Sequence, residues 1–351
     1  MAPLLLASPL ARGDPLQTEF LLLPSAQVAG TFDRQSVPDT QVDGQVLQAD
    51  MVLSLQKGQF KLFGEYLLSD HEGDLERFQL GWQLSNDTLI WIGRYHQPAS
   101  VWNHEHHHGQ YLQTSITRPD SEEWEDLGGI LPQHFTGMLI ESSRAVSNGW
   151  RLRTAVAGGI APQMTDDGLE PYDLVHPDHD RHTAGYQARV SIHPNDFTET
   201  GGGILLSADT LAEVGTPSAP QLGLDHVDLR LLGVFGVYAA DNWRIQGTFY
   251  HVDARLHYVS SIIDDDFSVG YLQAERRFTH DLTGFVRWED SIGAGDSKYL
   301  QLFEQFARIR YVGGVRWDFA SRQALTLQLG NSHTLTGSFS DVRLQWSAAF
   351  F

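Results

Sequence analysis

Along most of the chain, apolar and polar residues alternate one for one. Leu47, Ala49, Met51, Leu53 and Leu55 are interleaved with Gln48, Asp50, Ser54 and Gln56, and Phe60, Leu62, Tyr66 and Leu68 follow in the same phase. The pattern returns in Phe78/Leu80/Trp82/Leu84, in Trp150/Leu152/Thr154/Val156 and in Tyr186/Ala188/Val190/Ile192. It recurs in Val227/Leu229/Leu231/Gly233/Phe235/Val237, in Trp243/Ile245/Gly247/Phe249, in Leu325/Leu327/Leu329 and in Val342/Leu344/Trp346/Ala348/Phe350. A period of two sends successive side chains to opposite faces of a strand, so the chain is predicted to be all-β.

The connections decide between a sandwich and a barrel. Short links, all but the last holding Asn, Asp or Gly, fall at 57–58, 86–87, 147–149, 194–196, 240–241, 279–281 and 320–322. Such residues suit tight hairpins because they tolerate positive φ. Longer links fall at 34–45, 69–74, 96–133, 161–183, 210–225, 255–265, 293–303 and 331–337. Alternating short and long links join about 16 strands, the meander of a transmembrane β-barrel with short periplasmic turns and long extracellular loops. At roughly 10 residues per crossing, the strands take about 160 residues and leave ample chain for the loops. Trp82, Trp91, Trp150, Trp243 and Trp317 cluster beside the short turns, as an interfacial girdle requires.

Composition narrows the classes. The 351 residues carry a formal charge of −20 and no cysteine, which excludes disulfide frameworks, thiolate metal sites and covalently attached c-type haem. The acidic balance argues against a nucleic-acid partner. Leu4 to Leu6 followed by Ala7-Ser-Pro-Leu-Ala11 reads as a signal remnant or periplasmic N-terminal segment over 1–24, with the barrel over 25–351.

On these features the chain resembles the Gram-negative outer-membrane porins, and its last strand, Val342 to Phe351, ends in Phe as porin strands do. The resemblance implies an outer-membrane location, surrounding lipid and lipopolysaccharide, recognition by the barrel-assembly machinery, a homotrimer, and a third loop folded into the lumen as a constriction.

If apolar positions meet lipid, the opposite parity lines the lumen. That places Lys61, Arg77, Arg94, Arg151, Arg153, Arg189, Arg230, Arg244, Arg287, Arg308 and Arg310 on a cationic wall, together with Arg277, Arg316 and Arg343. The loop over 96–133 carries Glu122, Glu123, Glu125 and Asp126, candidate constriction acids opposite Arg77, Arg94, Arg151 and Arg153. In an extended backbone His104, His106 and His108 would share one side and could hold a divalent ion, Zn, Cu or Ni, while the acid-rich loops suit Ca. Ser191, His193 and Asn195 are the nearest approach to a hydrolase constellation, without an acid partner. The favoured function is a passive diffusion channel for small hydrophilic solutes or ions, needing no cofactor and no enzyme chemistry. The alternative is a sleeve holding a periplasmic or extracellular partner, such as a cytochrome of an electron conduit.

Overall fold

The computed structural model describes residues 15–35, 44–70, 73–106, 110–123, 129–165, 168–172, 174, 181–195, 199–214, 223–303 and 306–351. Its wall begins with β1 (Gln17–Gln35), β2 (Gly44–Lys57), β3 (Phe60–Ser69), β4 (Gly73–Ser85), β5 (Thr88–His96), β6 (His134–Ala145) and β7 (Arg151–Ile160). A two-strand flap, β8 (Gln163–Met164) and β9 (Leu169–Glu170), interrupts the series. The wall resumes with β10 (Ala184–His193), β11 (Gly201–Ala212), β12 (Leu224–Ala239), β13 (Trp243–Tyr258), β14 (Ser261–Arg277) and β15 (Leu282–Ile292). It ends with β16 (Ala307–Ala320), β17 (Gln323–Thr334) and β18 (Ser338–Ala348).

Sixteen of these strands form one closed antiparallel barrel, in which β1 pairs with β18 and each neighbour in sequence pairs with the next, β7 joining β10 directly. Closure leaves no unpaired strand edge, the condition for crossing a bilayer with strands. Among the described residues no helix is long and apolar enough to span a membrane. The outer surface supplies the complementary belt: Phe78, Leu80, Ile92, Val156, Leu232, Val234, Phe249, Leu272, Val286 and Leu327 all stand exposed on it. Trp82, Trp150, Trp243 and Trp317 are likewise exposed beside the short turns.

The structure corrects the sequence reading at several places. The barrel starts at Gln17, paired with Gln56, within the segment set apart as 1–24. The link expected over 255–265 is a two-residue turn, because β13 and β14 stay paired from Trp243↔Arg276 up to Tyr258↔Ser261. Asp264, Asp265 and Asp266 are therefore strand residues. Trp91 points inward, where its indole donates to Glu141 at 3.0 Å, so it does not belong to the girdle.

The largest correction concerns β12. Val227, Leu229 and Leu231 are buried at 4% exposure or less, whereas Arg230, Leu232 and Val234 are exposed. The apolar set assigned to lipid thus faces the interior, and Arg230 faces outward. The cause is an apolar core inside the barrel, toward the long-loop end. Val227, Leu229, Leu231, Val252, Ala254, Leu256 and Phe267 of the wall pack there against residues of inward-folded loops: Ala99, Val101, Ile130 and Leu131, then Met164 and Leu169, then Tyr299, Leu300 and Phe303. Outside the same stretch the wall is polar, with Asp228, Arg230, Asp253, Arg255, Asp264 and Asp266. Strands of 16 or 17 residues exceed the roughly 10 needed to cross the hydrocarbon. The surplus stands beyond the bilayer, where water lies outside and the loops supply the oil.

Candidate pore and its constriction

The third long loop connects His96 to His134 and crosses the lumen. It opens with α1 (Val101–His106), whose Trp102 is buried at 1% exposure and meets the Tyr271 ring edge-on at 5.7 Å on the opposite wall. Asn103 ties the loop to itself: its Nδ2 donates to Gln133 Oε1 at 2.6 Å and to the Glu122 carbonyl at 3.1 Å, while its Oδ1 accepts from Arg118 at 2.6 Å.

The far wall then grips the loop's backbone. Arg287 of β15 uses its whole guanidinium: Nε donates to Glu289 at 2.7 Å, Nη1 to the Thr117 carbonyl at 2.8 Å, and Nη2 to Thr117 Oγ1 at 2.9 Å and the Arg118 carbonyl at 2.7 Å. Gln328 of β17 accepts from the amides of Ile116 and Thr117 at 2.9 and 3.2 Å and donates to Thr117 Oγ1 at 2.9 Å. Arg316 of β16 donates to the carbonyls of Tyr111 and Gln113, both at 2.7 Å. Asp120 pairs with Arg310 and accepts the Ala307 amide at 2.8 Å, and its own amide donates to Glu289 at 2.7 Å. A planar donor fork suits such fixed multidentate contacts better than a lysine would.

Of the expected constriction acids, Glu122 is fully buried and accepts from Ser100 Oγ at 2.5 Å; its Oε1 lies 2.5 Å from Tyr250 Oη. Burial pushes its carboxyl up to about 7. Tyr250 has a single hydroxyl proton, and its Oη also lies 3.0 Å from the Ala99 carbonyl. A protonated Glu122 resolves this, donating to Tyr250, which donates to Ala99. Burial, reinforced by Asp120, pushes Glu123 up to about 7 as well. Glu125 and Asp126 lie outside the described residues.

The wall cations divide into two groups. Arg77 is paired with Glu65, Arg94 with Asp74 at 3.3 Å, and Arg287 and Arg310 with Glu289 and Asp120 as above. Past Gly93, at φ +134°, strict alternation ends and Arg94, Tyr95 and His96 are all buried. Among the described loop acids, Asp120 meets Arg310 and Glu122 meets Tyr250, on the wall away from Arg77, Arg94, Arg151 and Arg153. Arg308 is exposed at a register shift between Ala307 and Ile309, and Arg230 is on the outer surface, so neither lines the lumen.

The second group is half-buried. Arg151 and Arg153 on β7 pair across the ladder with His193 and Ser191 of β10, and Arg189 stands one inward position further along β10. Arg244 bridges to Glu199 at 2.8 Å and Glu275 at 3.3 Å, and Lys61 lies on β3. Ser191 Oγ lies 3.0 Å from His193 Nε2, but no carboxylate bonds that imidazole among the described residues.

Among the described residues, the extended arrangement expected to bring His104 and His106 to one side is absent. His104 and His106 belong to a helix, where residues two apart are turned by about 200°. His104 lies 3.9 Å from Glu141, and His106 packs against Trp102 with ring centroids 4.8 Å apart. His108 lies outside the described residues. Two other groups, which spacing along the sequence gave no means of finding, come together through strand pairing: buried Glu76, His96 and His134, and half-buried His226, Asp228 and His257.

No family model and no curated protein matches this chain. Solved structures do. An anion-selective porin from Comamonas acidovorans aligns over 96% of this chain and 100% of its own, with a TM-score of 0.62 at 12% identity. The chain has the fold of the outer-membrane porins. OmpF of Salmonella typhi, solved with daunomycin, covers 95% of this chain and 97% of its own at 11% identity and a TM-score of 0.57. The outer-membrane channel DcaP of Acinetobacter baumannii shows the same coverage at 9% identity and 0.56. OmpT of Vibrio cholerae, in a trimer form, gives 0.57 at 10% identity, covering 96% of this chain and 100% of its own.

Proposed function

We propose that the protein is an outer-membrane channel for small hydrophilic solutes or ions, narrowed by the third loop and favouring anions. One observation carries this reading. The third loop is anchored by Arg287, Arg310 and Arg316 on one wall, and Arg151, Arg153 and Arg189 form a half-buried guanidinium cluster on another, where Arg151 also donates to the Ser143 carbonyl at 2.8 Å and lies 3.7 Å from Asp87. Three guanidinium groups clustered on the two adjacent strands β7 and β10 would raise the local concentration of anions. An apolar core filling part of the lumen also favours a channel over a sleeve around a folded partner. A homotrimer in the membrane, resembling the trimer form of the Vibrio cholerae protein, fits this reading.

Planar-bilayer recording tests it. Reconstituted protein is expected to give steps of conductance with a reversal potential on the anion side in a salt gradient. Silent bilayers containing correctly folded barrels would refute the channel.

A further inference from the structure

Above the apolar belt, the outer wall of β12 and β13 gathers two half-buried imidazoles and one half-buried carboxylate, and His257 Nε2 among them is shielded from solvent. His226 and His257 are directly paired across the ladder, their rings stacked 15° from parallel with centroids 4.0 Å apart. Asp228, two residues along β12, sits with its Oδ2 3.2 Å from His257 Nε2. One ligand atom from each of the three residues lies within 4.8 Å of the others. Two ligands at about 2.0–2.1 Å from a tetrahedral Zn²⁺ stand about 3.3 Å apart, close to the nitrogen–oxygen separation found here.

The surroundings hold these donors as a metal site requires. His226 Nδ1 lies 2.8 Å from Asp225 Oδ2, a contact that fixes the ring and leaves Nε2 as its ligand atom. Arg181 in turn donates to Asp225 Oδ1 at 3.1 Å. The second oxygen of Asp228 accepts from Thr210 Oγ1 at 2.8 Å, leaving Oδ2 to face the imidazoles. The buried group is a weaker candidate. His134 Nε2 lies 3.2 Å from Glu76, and His96 Nδ1 contacts the Asn103 carbonyl at 3.2 Å, so these side chains already hold one another against the third loop.

We propose that His226, Asp228 and His257 form a binding site for a divalent late first-row ion such as Zn²⁺, taken from the medium outside the cell, with water completing the coordination. Imidazole with one carboxylate suits Zn²⁺, Ni²⁺ or Cu²⁺ and discriminates against Ca²⁺ and Mg²⁺, which want oxygen ligands. The site is independent of the pore, since the three side chains look away from the lumen.

Titration calorimetry of the full chain in detergent with ZnCl₂, and the visible absorption of added Co²⁺, read the site directly. The wild type is expected to bind one more Zn²⁺ than H226A/H257A, and Asp228→Asn to weaken that ion at least tenfold. Replacing His251 of β13, which lies 3.7 Å from Asp253, with Ala, or His104 and His106 with Ala, is expected to leave the same ion in place. Heat-modifiable gel mobility confirms that each variant is a folded barrel. No Zn²⁺ uptake by the wild type, or stoichiometry and affinity in H226A/H257A within twofold of wild type, would overturn the proposal.

Discussion

The guanidinium of Arg287 donates to the backbone carbonyl of Arg118 at 2.7 Å, joining β15 to the third loop across 169 residues of sequence. Every remaining donor of Arg287 is also spent, on Glu289, Thr117, Ser115 and Gln273. The loop's position therefore rests on one buried side chain more than on any other.

Arg287→Gln removes that fork, leaving Glu289 with the Asp120 amide but without its guanidinium partner, and the Thr117 and Arg118 carbonyls without their donor. Breaking a buried, hydrogen-bonded charge pair costs about 3–5 kcal/mol. The barrel wall has its own ladder of hydrogen bonds and is expected to survive, whereas the loop detaches. Limited proteolysis should cut within 97–133 in the variant and spare the wild type, and single-channel noise should rise. Equal protease resistance would show that Gln328 and Arg316 suffice.

Glu122 gives the loop a pH dependence. Its folded-state pKa, about 7, lies above the ordinary carboxyl value of 4.5. The seated loop holds the proton more tightly than the released one, so seating is strongest below 4.5, weakens as pH rises from 4.5 to about 7, and stays weak above. Loop protection against protease should fall across that window. Glu122→Gln retains a neutral, hydrogen-bonding side chain and should flatten the change, leaving the contribution of Glu123. A Gln variant with the wild-type profile would assign the effect elsewhere.

The inverted face of β12 is open to a labelling test, made clean by the absence of native cysteine. A cysteine in place of the exposed Arg230 should react with a membrane-impermeant maleimide within minutes. One in place of Leu229, 1% exposed against the interior core, should resist unless the protein is denatured. The reverse result would restore the opposite register.

Selectivity should follow the half-buried arginines of β7 and β10. Replacing Arg151, Arg153 and Arg189 together with Gln is expected to move the zero-current potential toward cations by several-fold in permeability ratio. The same exchange at Arg230 or Arg308 should change nothing. A response to Arg230 would place it in the permeation path.

Gly93 is a structural linchpin of the loop's entrance. Its φ of +134° is one that side-chain-bearing residues rarely adopt, and an added Cβ would collide with the Phe78 carbonyl. Gly93→Ala should lower the yield of folded barrel, at about 1–3 kcal/mol of backbone strain. Comparison of heat-modifiable fractions measures the loss.

The wall was legible in the sequence because alternation and turn chemistry are local: most of the short turns fall at the expected links, several of them on Asn, Asp or Gly, although the Val259-Ser260 turn was missed, and the link expected over 96–133 is the long loop between His96 and His134. The sign of the alternation was not. Val227/Leu229/Leu231 reads identically whether the apolar face meets lipid or a plug, and only the arrival of Leu131 and Tyr299 from distant loops decides. Likewise Asp264 to Asp266 resembled a loop because acids are rare on membrane strands, yet these strands continue past the bilayer. The partners of the wall arginines, set by how the third loop crosses, leave no mark on the local pattern. The His226–Asp228–His257 grouping needs the β12–β13 register, information that spacing along one strand does not contain.

The half of the wall that rises past the bilayer on β12 to β14 behaves as a second, independently wetted body sharing strands with the first. Its interior must be dried by three loops arriving together, while the lower ladder closes with help from lipid. Heating should thus undo the molecule in two stages, the crown opening while the membrane-embedded cylinder still migrates as an intact ring.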